Sequence, residues 1–105
     1  MAVDTALSRH NVPVRLTTER WGHIVEQHSE LAGLREDVME TVAAAERVVA
    51  GGSGELVAIR THTDGKAIVV AYRETSRTDG FVITAFITTR LRSLERRRQL
   101  WPPKN

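Results

Sequence analysis

The stretch Leu56-Val57-Ala58-Ile59-Arg60-Thr61-His62-Thr63-Asp64-Gly65-Lys66-Ala67-Ile68-Val69-Val70-Ala71-Tyr72-Arg73 decides the fold. Before it, apolar residues recur at helical steps. Within it they run as two blocks rich in β-branched side chains, with Asp64-Gly65 between them. A two-residue hairpin turn needs residues that tolerate positive φ, so this pair predicts a tight turn between strands at 56–61 and 66–73. A polar loop at 75–80 then leads to a third strand at 81–89, and the short connections make the three an antiparallel meander. Val48-Val49-Ala50 begins a further strand ahead of Gly51-Gly52-Ser53-Gly54, which is too flexible to be anything but a turn.

Alternation assigns faces to these strands. In the last strand, Phe81, Ile83, Ala85 and Ile87 form a wholly apolar side that belongs under helices, leaving Val82, Thr84, Phe86 and Thr88 on a mixed, open side. In the first strand Val57 and Ile59 are the apolar set, which sends Arg60 to the opposite side with Leu56 and Ala58. Arg60 and Thr84 are therefore expected on one open face. The middle strand is apolar on both sides and fits a central position.

On the N-terminal side of the stretch, a helix at 34–47 carries Leu34, Val38, Val42 and Ala45 on one face and Arg35, Glu36, Glu40 and Glu46 on the other. Leu31-Ala32-Gly33 is a break, because glycine suits the left-handed residue that closes a helix. Ahead of it, a helix at 17–30 is capped by Thr17 or Thr18, with Glu19 in the first turn, where the helix dipole favours negative charge. Trp21, Ile24, Val25, His28 and Leu31 share its apolar flank. Residues 1–13 have no sustained period and read as an arm, with room for a short strand at 14–16. Beyond Arg90, the spacing of Leu91, Leu94 and Arg98 predicts a short basic helix. Trp101 precedes Pro102-Pro103 and so cannot sit in a continuing helix. It either folds back as a hydrophobic plug or stacks on a base or a partner.

The expected fold is thus α+β: two N-terminal helices packed on one face of an antiparallel sheet of about four strands, ending in a short basic helix or tail. The domain runs over 14–101, between the arm at 1–13 and a tail at 102–105. A chain of 105 residues makes one domain with a single core. It has no cysteine, which excludes disulfides and cysteine-ligated zinc. Its start lacks an apolar signal core and no apolar run is long enough to span a bilayer, so a soluble, cytoplasmic protein with no membrane association is expected. The net charge of +2 is unevenly spread: residues 90–105 carry Arg90, Arg92, Arg96, Arg97, Arg98 and Lys104 against Glu95 alone. Such an end either meets phosphates or an acidic partner, or is a solvated arginine-rich tail.

His28 sits where the apolar flank of the first helix ends. It is either a core histidine with one satisfied hydrogen bond or a reactive group at the edge of a cleft. His23 and His28 do not form a metal pair, because five helical residues separate the side chains by about 140°, whereas zinc pairs on a helix use i and i+4. No cofactor or metal is expected.

Several of these residues resemble a known family. Leu16-Thr17, Glu19-Arg20-Trp21, His23-Ile24, His28 and Glu30, then Lys66 to Val70, then Gly80-Phe81-Val82-Ile83-Thr84-Ala85-Phe86 and the closing Leu100-Trp101 look like small phage and mobile-element proteins. That family is assigned to the Barnase–EndoU–colicin E5/D–RelE-like nuclease fold. The resemblance spans about residues 14–101 and implies a metal-independent endoribonuclease, toxin-like or a mobile-element effector. Such an enzyme drives a ribose 2′-hydroxyl onto the adjacent phosphate, which takes a base, an acid and charge stabilisation. Carried over by motif position, His28 would transfer protons and Thr84 would donate a hydrogen bond to a phosphate oxygen. Arg60 and Lys66 are the candidate cations. Arg90, Arg96, Arg97 and Arg98 would bind RNA, and a cognate antitoxin or immunity protein is the expected partner. The chain departs from the pattern at Ser29, where the family has a proline that would fix how the chain leaves the helix. The competing reading is a non-catalytic RNA- or protein-binding regulatory module on the same fold. The oligomeric state is left open.

Overall fold

The computed structural model describes residues 3–104; Met1 and Ala2 of the expected arm and Asn105 of the tail lie outside the described residues. Among the described residues seven strands form one mixed sheet: β1 (Val3–Leu7), β2 (Pro13–Thr17), β3 (Arg47–Ala50), β4 (Leu56–Thr61), β5 (Ala67–Glu74), β6 (Gly80–Thr88) and β7 (Gln99–Trp101). Three α-helices join them: α1 (Thr18–Gln27), α2 (Arg35–Ala43) and the short α3 (Arg92–Glu95). The order across the sheet is β1-β2-β6-β5-β4-β3-β7. This corrects the expected sheet of four antiparallel strands under two helices. The additional strands have physical reasons to be hard to see. Residues 3–7 alternate without a buried apolar face, and β7 is only three residues long, too short for a period to register.

The meander β4-β5-β6 forms as its turn chemistry dictates. Asp64 and Gly65 take φ values of 54° and 73°, and the backbone N–H of His62 donates to the carbonyl of Lys66 at 2.8 Å. The departure is at the other edge of β6. There β2 pairs with it in parallel, Val14 opposite Gly80 and Arg15 opposite Phe81, while β1 folds back antiparallel on β2. The N-terminal segment read as an arm is therefore a hairpin within the sheet. A hub at Ser8, only 3% exposed, holds its loop: the hydroxyl donates to Glu74 Oε2 at 2.6 Å and accepts from the backbone N–H groups of His10 and Val12.

Both faces of the sheet are covered. On one, α1, the 3-10 turn Ser29–Leu31 and α2 bury Ile24, Leu31, Val38 and Val42 against Val14, Leu16, Ala58, Ile68, Val70, Tyr72 and Ala85. On the other, Leu91 and Leu94 from α3 and its approach cover Val49, Val57, Ile59, Ala67 and Val69, with Phe86 beside them. The doubly apolar β5 lies between the two clusters.

Two face assignments are thereby corrected. Leu56 and Ala58 belong to the helix-side cluster, and Arg60 points the same way: its guanidinium donates to Thr41 Oγ1 at 3.2 Å and to the Asp37 carbonyl at 3.1 Å, with the Asp37 carboxylate at 3.6 Å. In β6 the pairing steps from Ala71–Thr84 to Tyr72–Val82, so Ile83 is an extra, bulged residue. The bulge reverses alternation, placing Val82 on the same side as Ala85 and Ile87. Simple alternation cannot carry across an inserted residue. Arg60 and Thr84 consequently do not share a face.

The helices are shorter than their expected 17–30 and 34–47. Thr17 caps α1, its hydroxyl accepting from the backbone N–H of Arg20 at 3.1 Å, and the helix gives way at His28 to the 3-10 turn. Arg47 belongs to β3 instead of α2. Among the described residues no helix is long and apolar enough to cross a membrane. Trp101 lies in β7, half-buried against the core, with the Arg9 guanidinium 4.1 Å from its ring centroid, which is the plug arrangement.

Candidate active-site cleft and adjoining groove

Three local structures meet at one end of the sheet: the 3-10 turn after α1, the β4–β5 hairpin, and the segment leaving β6. They enclose a cleft of about 550 Å³ lined by Glu30, His62, Thr63, Lys66, Thr88, Thr89 and Arg90, with Leu34 and Ile87 as its apolar floor. Each residue arrives there for a local reason. The tight turn at Asp64-Gly65 sets His62 and Lys66 across from each other, and β6 runs out into Arg90, whose backbone N–H donates to Thr88 Oγ1 at 2.9 Å. Helix α1 ends at His28, so the following turn delivers Glu30.

His28 stands just behind this wall. Its Nδ1 is 3.6 Å from Glu30 Oε2, and its ring lies 6.0 Å from that of Phe86, between centroids. The imidazole is one-third exposed, neither a buried core histidine nor a free surface one. Glu30 thus faces His28 on one side and the cleft on the other. Among the described residues neither Lys66 nor Arg90 has a carboxylate partner, so both charges are open to an anion.

The expected site residues divide accordingly. The cleft gathers Lys66 and Arg90, with His28 joined to it through Glu30. Arg60 is held on the helix side by α2. Thr84 lies away from the cleft, in a groove between α1 and β6 lined by Arg20, His23, Ile24, Gln27, Ile83 and Thr84. Arg96, Arg97 and Arg98 are exposed at the end of α3. Arg97 donates to the Ala50 carbonyl at 3.5 Å and lies near Glu55. Backbone N–H groups of Glu55 and Ser53 hold the Glu55 carboxyl below its usual range, with the charges of Arg73 and Arg97 adding to this.

Sequence reasoning missed His62 and the placing of Glu30. A signal for His62 was present, because a hairpin closed at Asp64-Gly65 must bring the residues flanking its turn together. Glu30 depended on where α1 stops, a boundary that residue patterns locate poorly.

The groove continues along α1 into a smaller recess formed by Arg15, Thr17, Arg20, Phe81 and Val82, so Arg20 is common to both. Arg15 bonds Asp79 through Nε at 2.9 Å and Nη2 at 3.0 Å, and its guanidinium lies 5.9 Å from the centroid of the Phe81 ring. The hydrogen bond from Arg15 holds the Asp79 carboxyl below its usual range.

Comparison of the chain with protein-family models, with curated proteins and with solved structures found no match.

Proposed function

We propose that the protein is a metal-independent endoribonuclease whose chemistry takes place in the cleft between the 3-10 turn and the β4–β5 hairpin. The observation that carries the reading is the convergence there of His62, Glu30 with His28 behind it, and two cations without carboxylate partners, Lys66 and Arg90. Cleavage by 2′-hydroxyl attack needs two proton-transfer groups and a positive surface for the phosphorane, and this set supplies both. Of the two proton-transfer groups that line the cleft, His62 and Glu30, one takes the 2′-hydroxyl proton as that oxygen bonds to phosphorus. The other protonates the 5′-oxygen as the P–O5′ bond breaks, leaving a 2′,3′-cyclic phosphate and a 5′-hydroxyl. His28 positions Glu30 from behind, its Nδ1 3.6 Å from Glu30 Oε2. Lys66 and Arg90 stabilise the extra negative charge on the phosphoryl oxygens.

The resemblance of the first helix, the Lys66 strand and the Gly80–Phe86 segment to nucleases of phage and mobile elements supports the same chemistry. It also suggests a toxin-like or mobile-element effector role with RNA as substrate and a cognate antitoxin or immunity protein as partner. The expected roles are revised: Lys66 keeps its own, His28 becomes a positioning residue behind Glu30, His62, Glu30 and Arg90 join the reacting centre, and Arg60 and Thr84 leave it.

The test is cleavage of single-stranded RNA by purified protein in excess chelator, with products analysed for cyclic phosphate ends. His62→Ala and Glu30→Gln should each lower the rate by about a hundredfold or more, and His28→Ala by less, because it acts through Glu30. Lys66→Ala should slow cleavage at saturating RNA as well as weaken binding, because its charge acts on the transition state. A folded wild-type protein that leaves RNA intact would overturn the proposal in favour of the binding or regulatory module.

A further inference from the structure

Thr84 lines the α1 groove and Thr88 the cleft, and both belong to β6 beyond the bulge, so the same strand runs from one to the other. Thr84 and Thr88 are four residues apart, about 13 Å at the rise of an extended strand. Phe86 lies between them against His28. The groove exists because β2 leaves β6 after the Arg15–Phe81 pair and its chain turns into α1, which stands beside β6 where another strand would otherwise continue.

The chemistry along this groove is that of a backbone-and-base site. Arg20 lies at its centre and has no carboxylate partner among the described residues. Thr84 and Gln27 add a hydroxyl and an amide, and His23 lies alongside with Glu26 3.7 Å away. At the far end the Arg15 guanidinium over Phe81 makes a half-exposed cation–aromatic platform, with Asp79 fixing the arginine from its edge.

We propose that this groove binds single-stranded RNA, with Arg20 and Thr84 holding a phosphodiester and the Arg15–Phe81 platform stacking a base. The assignment rests on the ribonuclease reading in one respect, that the strand bound here continues into the cleft. A single strand is required because a base can stack on a side-chain plane only when it is free of its own helix; the bases of a duplex are not available. The groove sets which nucleotides flank the scissile phosphate, and so acts as a positioning site away from the reacting atoms.

The test uses fluorescence anisotropy with a labelled, fully 2′-O-methylated RNA strand, which binds but lacks the attacking hydroxyl, and with its duplex. Arg20→Gln and Phe81→Leu, each checked for an unchanged circular dichroism spectrum, should weaken single-strand binding about tenfold, and the duplex should bind wild type more weakly than the strand. Affinities within about twofold of wild type in both variants, or a duplex that binds as tightly as the strand, would overturn the assignment. Cleavage of unmodified RNA is measured in parallel. Wild type that cuts nothing while the variants lose single-strand affinity removes the nuclease reading and leaves the groove. Normal affinity in both variants beside His62-dependent cleavage does the reverse.

Discussion

At the level of single residues, the contrast between Arg60 and Lys66 shows how partners decide roles. Arg60 is engaged by Thr41 and Asp37 and ties β4 to α2, whereas Lys66 meets no carboxylate among the described residues and faces the cleft. Tyr72 presents another decision of this kind. It is fully buried beneath the helices, and its hydroxyl has no hydrogen-bond partner among the described residues. A desolvated, unpaired hydroxyl costs roughly 1–3 kcal/mol. Tyr72→Phe is therefore expected to raise stability by about 1 kcal/mol, read as a higher urea midpoint with an unchanged slope. Burial, together with the Glu74 charge, pushes the phenol far above its usual value. The unfolded chain then releases this proton first, so stability falls as pH rises through about 10. In Tyr72→Phe that alkaline loss should shrink, which a pH series of melts would reveal.

At the level of elements, the junction of β2 with β6 is the least forgiving place in the sheet. A Cβ built on Gly80 would lie 2.5 Å from the Arg73 carbonyl oxygen and 3.3 Å from that of Pro13, both backbone atoms that cannot step aside. Gly80→Ala should cost about 1–3 kcal/mol, seen as a lower melting temperature. Helix α1 sits beside this junction with only Ile24 buried, whereas α2 buries Val38, Met39, Thr41 and Val42. At about 1.5–3 kcal/mol for each large apolar side chain buried, Val38, Met39 and Val42 anchor α2 more firmly than Ile24 and the half-buried Trp21 anchor the helix that forms the groove wall. How much of this the residues disclosed depends on the kind of signal. The meander was legible because turn chemistry and β-branched runs are local. The parallel partner of β6 was not, since nothing in 14–15 points to 80–81. The bulge at Ile83 defeated the face assignment for the same reason that it matters structurally: it inserts one residue into a period of two. Lys66 and Arg90 were legible as cations, and only the hairpin geometry shows that His62 stands with them.

Across the whole molecule, Trp21 and Trp101 pack against one core from distant places, the first on α1 and the second on β7 at an edge of the sheet. A single core should unfold as one unit. Fluorescence of Trp21→Phe and Trp101→Phe, each with one tryptophan left, is expected to give urea midpoints that agree with circular dichroism of the same variant. Disagreement would mean that the edge strand or α1 melts separately. The parallel contact between β2 and β6 also governs how the protein comes into being on the ribosome. Residues 14–15 emerge early, yet their partners at 80–81 appear only after most of the chain has been made. Until then the N-terminal hairpin has no neighbour on its inner side, and the apolar flanks of α1 and α2 lack the strand that completes the surface beneath them. Vectorial synthesis therefore yields a nascent chain whose early segments wait, unprotected, for the last third to close the sheet.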